Sequence, residues 1–308
     1  MLNKVFFIFV STAMLSACTS LQTRNSLPKG PQQTEGAVLV DKGQEQVPHN
    51  ETAEIETTDK LAIIFGPGGA KTYAQAGFIK ELTRAEIPVS KIVGLEWGSL
   101  ISALYASKAQ AHEVEWQLFK METLENAKEK SFLSLLRKEP DPQKVWEDFF
   151  EATFAGQQIN NMTIPWSCAY DYQGIVRFAS SGPIVNALKK CFFFPPNAKE
   201  SRSLAAPDAL LQTVNQLKKE GYGPIVYVDV LSGMVNRFKS SYVTVEDKFL
   251  WSIIQRSLES QINLLDIEHV VIKTGSFMDD FDAKNIMIKK GEGEASAFIK
   301  EITEKYKL

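Results

Sequence analysis

The apolar positions of this chain fall into two periodicities that alternate from residue 60 onward. Leu61-Ala62-Ile63-Ile64-Phe65 is a short continuous apolar run that stops at Gly66-Pro67-Gly68-Gly69, the pattern of a buried strand meeting a tight turn. From about Ala70 to Ala85 the spacing changes, with Ala74, Phe78, Ile79 and Leu82 on one helical face, and Glu86-Ile87-Pro88 ends the helix. Ser90 to Val93 predicts a second strand, and a long helix follows from about Trp97 into the 110s. Strand, helix, strand, helix at this spacing predicts an α/β fold with a mainly parallel central sheet and helices on both faces.

The remaining elements are more widely spaced. Gln143 to Phe154 places Trp146, Phe149, Phe150 and Phe154 at helical intervals, either as a core or cap helix or as an aromatic face that touches lipid. Thr163 to Tyr170 reads as a strand, Gly182-Pro183 precedes a helix ending near Cys191, and Ile225 to Val230 is another buried strand. Val270 to Ile272 predicts one more strand, and an amphipathic helix from about Gly293 to Tyr306 closes the chain.

The first 59 residues carry no such pattern. Lys4, the apolar stretch Val5 to Val10 with Met14 and Leu15, and the small residues of Leu15-Ser16-Ala17-Cys18 have the layout of a bacterial lipoprotein signal. This predicts a signal peptide over 1–17 and lipid on the Cys18 sulfur, and Ser20 fits sorting to the outer membrane, facing the periplasm. Residues 18–59 are polar and nearly free of aromatics, the composition of a flexible tether, and 60–308 form the folded domain.

Composition narrows the function. Of 308 residues, 44% are hydrophobic and 23% charged, and the net charge of −3 supplies no basic footprint for nucleic acid. Past residue 20 no apolar run reaches the length of a membrane-spanning helix. His49, His112 and His269 have no metal-ligand spacing, so neither a metal nor a cofactor is expected. Cys168 and Cys191 are left as a possible disulfide or as two free thiols.

The chemistry turns on Gly94-Leu95-Glu96-Trp97-Gly98. Between a strand and a helix, a Gly-x-Ser-x-Gly turn lifts its central hydroxyl into a site where it attacks an ester. Here Glu96 stands in place of that serine. A carboxylate is a weak nucleophile toward a carbonyl, and it brings negative charge to the place where an oxyanion would develop. At a helix N-terminus an anion gains about 0.3–1 kcal/mol, so the carboxylate is expected to occupy the oxyanion-type site itself.

These residues resemble the patatin-like phospholipase family. The likeness runs in order through Ile63 to Ala106, Ser181-Gly182-Pro183 to Phe194-Pro195-Pro196, Ile225 to Val230, and Asp279-Asp280-Phe281-Asp282 to Gly291-Glu292-Gly293-Glu294. The resemblance implies a serine nucleophile activated directly by an aspartate, an oxyanion hole of backbone amides from the glycine loop, and acyl-ester lipids as substrates. The chain departs from that pattern three times. Glu96 replaces the nucleophile. Ala205-Ala206-Pro207 lies where the family's aspartate turn is expected, with Asp208 beside it as a possible substitute acid. The family's Gly-Gly-Gly-x-Arg-Gly loop has become Pro67-Gly68-Gly69-Ala70-Lys71-Thr72, so Gly66, Gly68, Gly69 and Lys71 are the candidate oxyanion-loop residues.

The resulting expectation is a lipid-anchored envelope protein with an inactive patatin-like domain, a pseudoenzyme that binds a phospholipid or acyl chain or regulates a protein partner. The alternative is an active lipid acyl hydrolase with a rearranged nucleophile, Ser99 being the foremost candidate.

Overall fold

The computed structural model describes residues 60–129, 142–193, 203–232, 236–239 and 243–308. The signal peptide, Cys18, Ser20, His49, the tether and the Phe194-Pro195-Pro196 turn lie outside the described residues. Among the described residues seven strands form one mixed, mainly parallel sheet in the order β4-β3-β2-β1-β6-β7, with β5 pairing β3. The parallel members are β1 (Ala62–Phe65), β2 (Lys91–Leu95), β3 (Trp166–Tyr172), β6 (Ile225–Asp229) and β7 (Glu268–Val271). β4 (Ile175–Ala179) and β5 (Ser203–Ala205) run antiparallel to β3.

Helices cover both faces because alternate residues of each central strand point to opposite sides. Ile63, Phe65, Ile92, Val226 and Val228 face α1 (Tyr73–Arg84), α2 (Trp97–Lys108), α3 (Ala111–Glu129), α4 (Pro142–Phe154), α5 (Ile184–Cys191) and α8 (Lys284–Tyr306). Ala62, Ile64, Val93, Leu95 and Tyr227 face α6 (Leu210–Lys219) and α7 (Val245–Ile262). A strand buried on both sides needs a nearly continuous apolar run, which β1 has throughout and β6 has up to Asp229.

Besides β5 and α6, for which the apolar pattern predicted no element, four elements differ from their sequence-based expectation. The helix after the elbow is two helices, because Ala109 adopts a left-handed φ of 55° and its N–H returns to the Tyr105 carbonyl at 2.7 Å, ending α2. The strand near residue 163 begins later and turns back as a hairpin, since Gln173 and Gly174 both take positive φ, the geometry of a two-residue turn. The last helix starts nine residues before Gly293, at Lys284. α7 was hidden by apolar residues on more than one of its faces, although its start is fixed by a capping box between Thr244 and Asp247.

The aromatic helix α4 belongs to the core. Phe149, Phe150 and Phe154 are buried, and Trp146 packs edge-on against Trp97 with ring centroids 4.6 Å apart. Cys168 and Cys191 form a disulfide between β3 and α5, with Cα atoms 6.0 Å apart.

Candidate active site

The site lies beyond the carboxyl ends of β1, β2 and β6, where the chain leaves the sheet to opposite sides of β1 and ligands of open α/β folds collect. From β2 the backbone turns sharply at Glu96, whose φ of 50° and ψ of −122° are costly for a residue with a side chain, and α2 begins at the next residue. Close packing forces this turn. A Cβ on Gly98 would lie 2.3 Å from the Phe65 carbonyl oxygen, and one on Gly94 would lie 2.3 Å from the Ser99 Cα. The two glycines therefore let α2 sit directly against β1 and β2, and the elbow has kept its shape without its hydroxyl.

Glu96 is 3% exposed. The Gly68 backbone N–H donates to its Oε2 at 3.2 Å, and the amides of Trp97 and Gly69 also support the carboxyl. These are donors from the glycine loop and from the residue after the nucleophile position, the places from which an oxyanion hole is built. The Glu96 carboxyl thus takes up the amides that this turn presents. Its charge state differs from the expectation drawn from the helix dipole. Burial raises the Glu96 pKa to about 8 despite the three amides, so near neutral pH the group is chiefly the uncharged acid.

The rest of the glycine loop is already committed. Gly66 N–H donates to the Val228 carbonyl at 3.0 Å, Ala70 N–H to Met278 at 2.8 Å, and Lys71 N–H to Gly68 at 3.1 Å. The Lys71 side chain is fully buried and donates to Asn236 Oδ1 at 2.6 Å. Burial lowers its pKa to about 8, against the opposing attraction of Asp229. Asn236 in turn donates to Gln255 Oε1 of α7 at 2.6 Å.

Asp229, at the end of β6, received no role from the sequence. Its buried carboxylate faces His269 Nε2 at 3.0 Å through Oδ2 and accepts the Leu231 and Ser232 backbone N–H groups through Oδ1 at 2.7 and 3.1 Å. Burial pushes its pKa up, but His269 and these amides outweigh that and hold it below the ordinary aspartate value. The available signal was a charged residue inside the apolar run Ile225 to Val230, which a buried strand accepts only with partners.

The substitute acid and nucleophile fare differently. Asp208 is exposed on the turn before α6, its carbonyl accepts from Gln261 Nε2 at 2.8 Å, and among the described residues its carboxylate makes no hydrogen bond to Glu96. Ala205 and Ala206 are buried beside it. The Ser99 hydroxyl is fully buried between α2 and β2 and has no partner among the described residues, while Ser102 accepts from Trp166 Nε1 at 2.8 Å and donates to the Ser99 carbonyl. Among the described residues neither hydroxyl bonds to an amide of the glycine loop.

The sequence profile of the patatin-like phospholipases matches residues 63–258, from β1 through most of α7. The chain belongs to the patatin-like phospholipase family. Patatin-like phospholipase domain-containing protein 6 of Mus musculus and of Homo sapiens are each 37% identical to it over 59 residues, 19% of this chain. Those 59 residues span only 4% of the relatives' own length. Among solved structures, the ExoU–SpcU heterodimer of the Pseudomonas aeruginosa type III secretion system aligns with a TM-score of 0.41 and 12% identity, over 79% of this chain and 51% of that one. The crystal structure of the type III effector ExoU aligns with a TM-score of 0.37 and 13% identity, over 79% and 53%. The matched span includes both the glycine loop and the elbow of this patatin-like domain, with the buried carboxyl of Glu96 between them.

Proposed function

We propose that this patatin-like domain does not hydrolyse esters and serves instead as a lipid-anchored envelope pseudoenzyme that holds an acyl lipid or regulates a protein partner. The observation that carries the reading is the Gly68 N–H bonded to Glu96 Oε2, because the side chain at the nucleophile position occupies the oxyanion donors that a substrate carbonyl would need. Hydrolysis requires an atom that attacks the carbonyl and is later released by water. A neutral carboxylic acid does neither. The buried Ala205 and Ala206, where the family's acid is expected, remove the second half of the machinery as well.

Anchoring through lipidated Cys18, with the domain in the periplasm at the outer membrane, rests on the N-terminal sequence. The Cys168–Cys191 disulfide supports an oxidising compartment.

The test is turnover of short acyl esters and lysophospholipids by the purified protein. The expected rate equals that of Glu96→Ala. Fatty-acid release well above that control overturns the proposal. Extraction of the purified protein separates the two roles, since a bound lipid appears in the extract only if the domain is a lipid carrier.

A further inference from the structure

Five of the nine large apolar side chains exposed among the described residues lie in or beside α6 and α7, namely Leu211, Val245, Phe249, Ile253 and Leu264. Three of them make one stripe. Val245, Phe249 and Ile253 follow at intervals of four on α7, 76%, 65% and 47% exposed, and side chains so spaced lie one above another on a helix. The inner side of α7 is satisfied separately, since Ile254 and Leu258 are buried in the core on that face of the sheet. A surface helix turns polar residues away from the core, so a contiguous apolar stripe there marks a docking face.

We infer that the outer face of α7 docks on the same face of a second copy of this chain, the two helices running antiparallel about a two-fold axis. The charges beside the stripe select this occupant. They are of both signs, with Glu246 and Lys248 toward its N-terminal end and Arg256 and Glu259 toward its C-terminal end. A surface of one sign would repel half of them. In a two-fold contact residue i meets j while j meets i, so each end of one helix lies against the opposite end of the other. Acid then meets base in every case: Glu246 faces the partner's Arg256, and Lys248 faces the partner's Glu259. At about 1.5 Å per residue the two couples are centred within about 4 Å of each other along the helix, so one axis serves both. Phe249 and Ile253 straddle the same centre and interdigitate across it. Glu259 also accepts from Gln255 Nε2 at 2.9 Å, which leaves its carboxylate further acceptor sites.

The same helix reaches the glycine loop. Gln255 of α7 accepts from Asn236, and Asn236 accepts from Lys71, at 2.6 Å in each case. The dimer is thus built on the helix that braces that loop, and it stands independently of whether Glu96 supports turnover.

Sedimentation equilibrium of the full chain tests the pairing, with Cys18→Ser throughout so that no acyl anchor drives association. The parent should be a dimer at micromolar concentration. Phe249→Ser, at an exposed position, should be a monomer with an unchanged denaturation midpoint. Glu246→Arg alone sets arginine against arginine, and Arg256→Glu alone sets glutamate against glutamate, so each should weaken the dimer by at least about tenfold. Mixed in equal amounts, these two variants should recover the dimer, because each then meets its opposite charge on the other. That recovery requires a contact between copies in this antiparallel register. A parent that stays monomeric, a dimer that Phe249→Ser leaves intact, or a mixture that fails to associate overturns the inference. Flotation of a monomeric parent with phosphatidylcholine vesicles, lost in Phe249→Ser, also overturns it, because the stripe then meets lipid.

Discussion

Ala205 is registered against Tyr170, one residue beyond the Ala169–Leu95 pair that leads into Glu96. The segment expected to carry an acid therefore arrives next to the elbow with methyl groups. Glu96→Ser alone should hydrolyse p-nitrophenyl butyrate no faster than Glu96→Ala. Adding Ala206→Asp supplies a base, and Glu96→Ser/Ala206→Asp should exceed the single variant by about 10²-fold, the lower end of what general-base help contributes. Equal rates for the two would place the lost acid elsewhere.

The raised Glu96 pKa makes stability depend on pH in a defined direction. The unfolded chain releases this proton near 4.5, and the folded chain keeps it until about 8. Between these values the fold binds a proton that the unfolded chain has lost. The contribution is full below 4.5 and disappears as pH rises through 8. Urea denaturation of the parent should show falling stability from pH 5 to 8, and Glu96→Gln should flatten that slope.

Lys71 acts in a separate window with the opposite sign. Its ammonium loses a proton near 8 in the fold and near 10.5 in the unfolded chain. Its contribution is present above 10.5 and is lost as pH falls through 8. Lys71→Met should remove a rise in stability between pH 8 and 10.5 while leaving the slope below 8 unchanged.

Two glycines of helices should respond in opposite ways. Alanine at Gly98 meets the Phe65 and Gly66 carbonyl oxygens at 2.3 and 2.6 Å, so Gly98→Ala should cost about 1–3 kcal/mol by forcing α2 off the sheet. Gly293, within α8, has no neighbour within 4 Å of an added Cβ, and Gly293→Ala should gain about 0.5–1 kcal/mol from reduced chain entropy. Guanidinium titrations of both variants test the pair.

The Cys168–Cys191 bond closes a 23-residue separation, and a crosslink of that span stabilises a fold by about 3 kcal/mol in the chain-entropy account. Cys168→Ala/Cys191→Ala should lower the denaturation midpoint accordingly, and dithiothreitol should do the same to the parent.

Much of this architecture was legible in the sequence, for reasons that differ by element. β1, β6 and the elbow were readable because burial on both faces demands long apolar runs, interrupted in β6 only by Asp229, and because only glycine fits where α2 approaches the sheet. The split at Ala109 was not readable, since alanine favours helix and gives no local sign of the left-handed φ of 55° it adopts. The outer stripe of α7 blurred its period, so a long helix passed without a clear signal. Glu96 was found from its motif, but its protonation was not. A helix N-terminus argues for an anion, and only the folded surroundings reveal that desolvation outweighs it. The links from Lys71 to Asn236 and from Asp229 to His269 join residues 165 and 40 positions apart, beyond the reach of any local pattern.

The Trp97 ring meets Trp146 of α4, Phe192 just after α5, and Phe281 before α8, with centroids 4.6 to 5.1 Å away. Glu96 is only 3% exposed beside this cluster, so a small molecule that reaches the elbow needs neighbouring side chains to part. Arrival would then be timed by the protein's own breathing and would stop accelerating as ligand concentration grows. Indole fluorescence would register each opening.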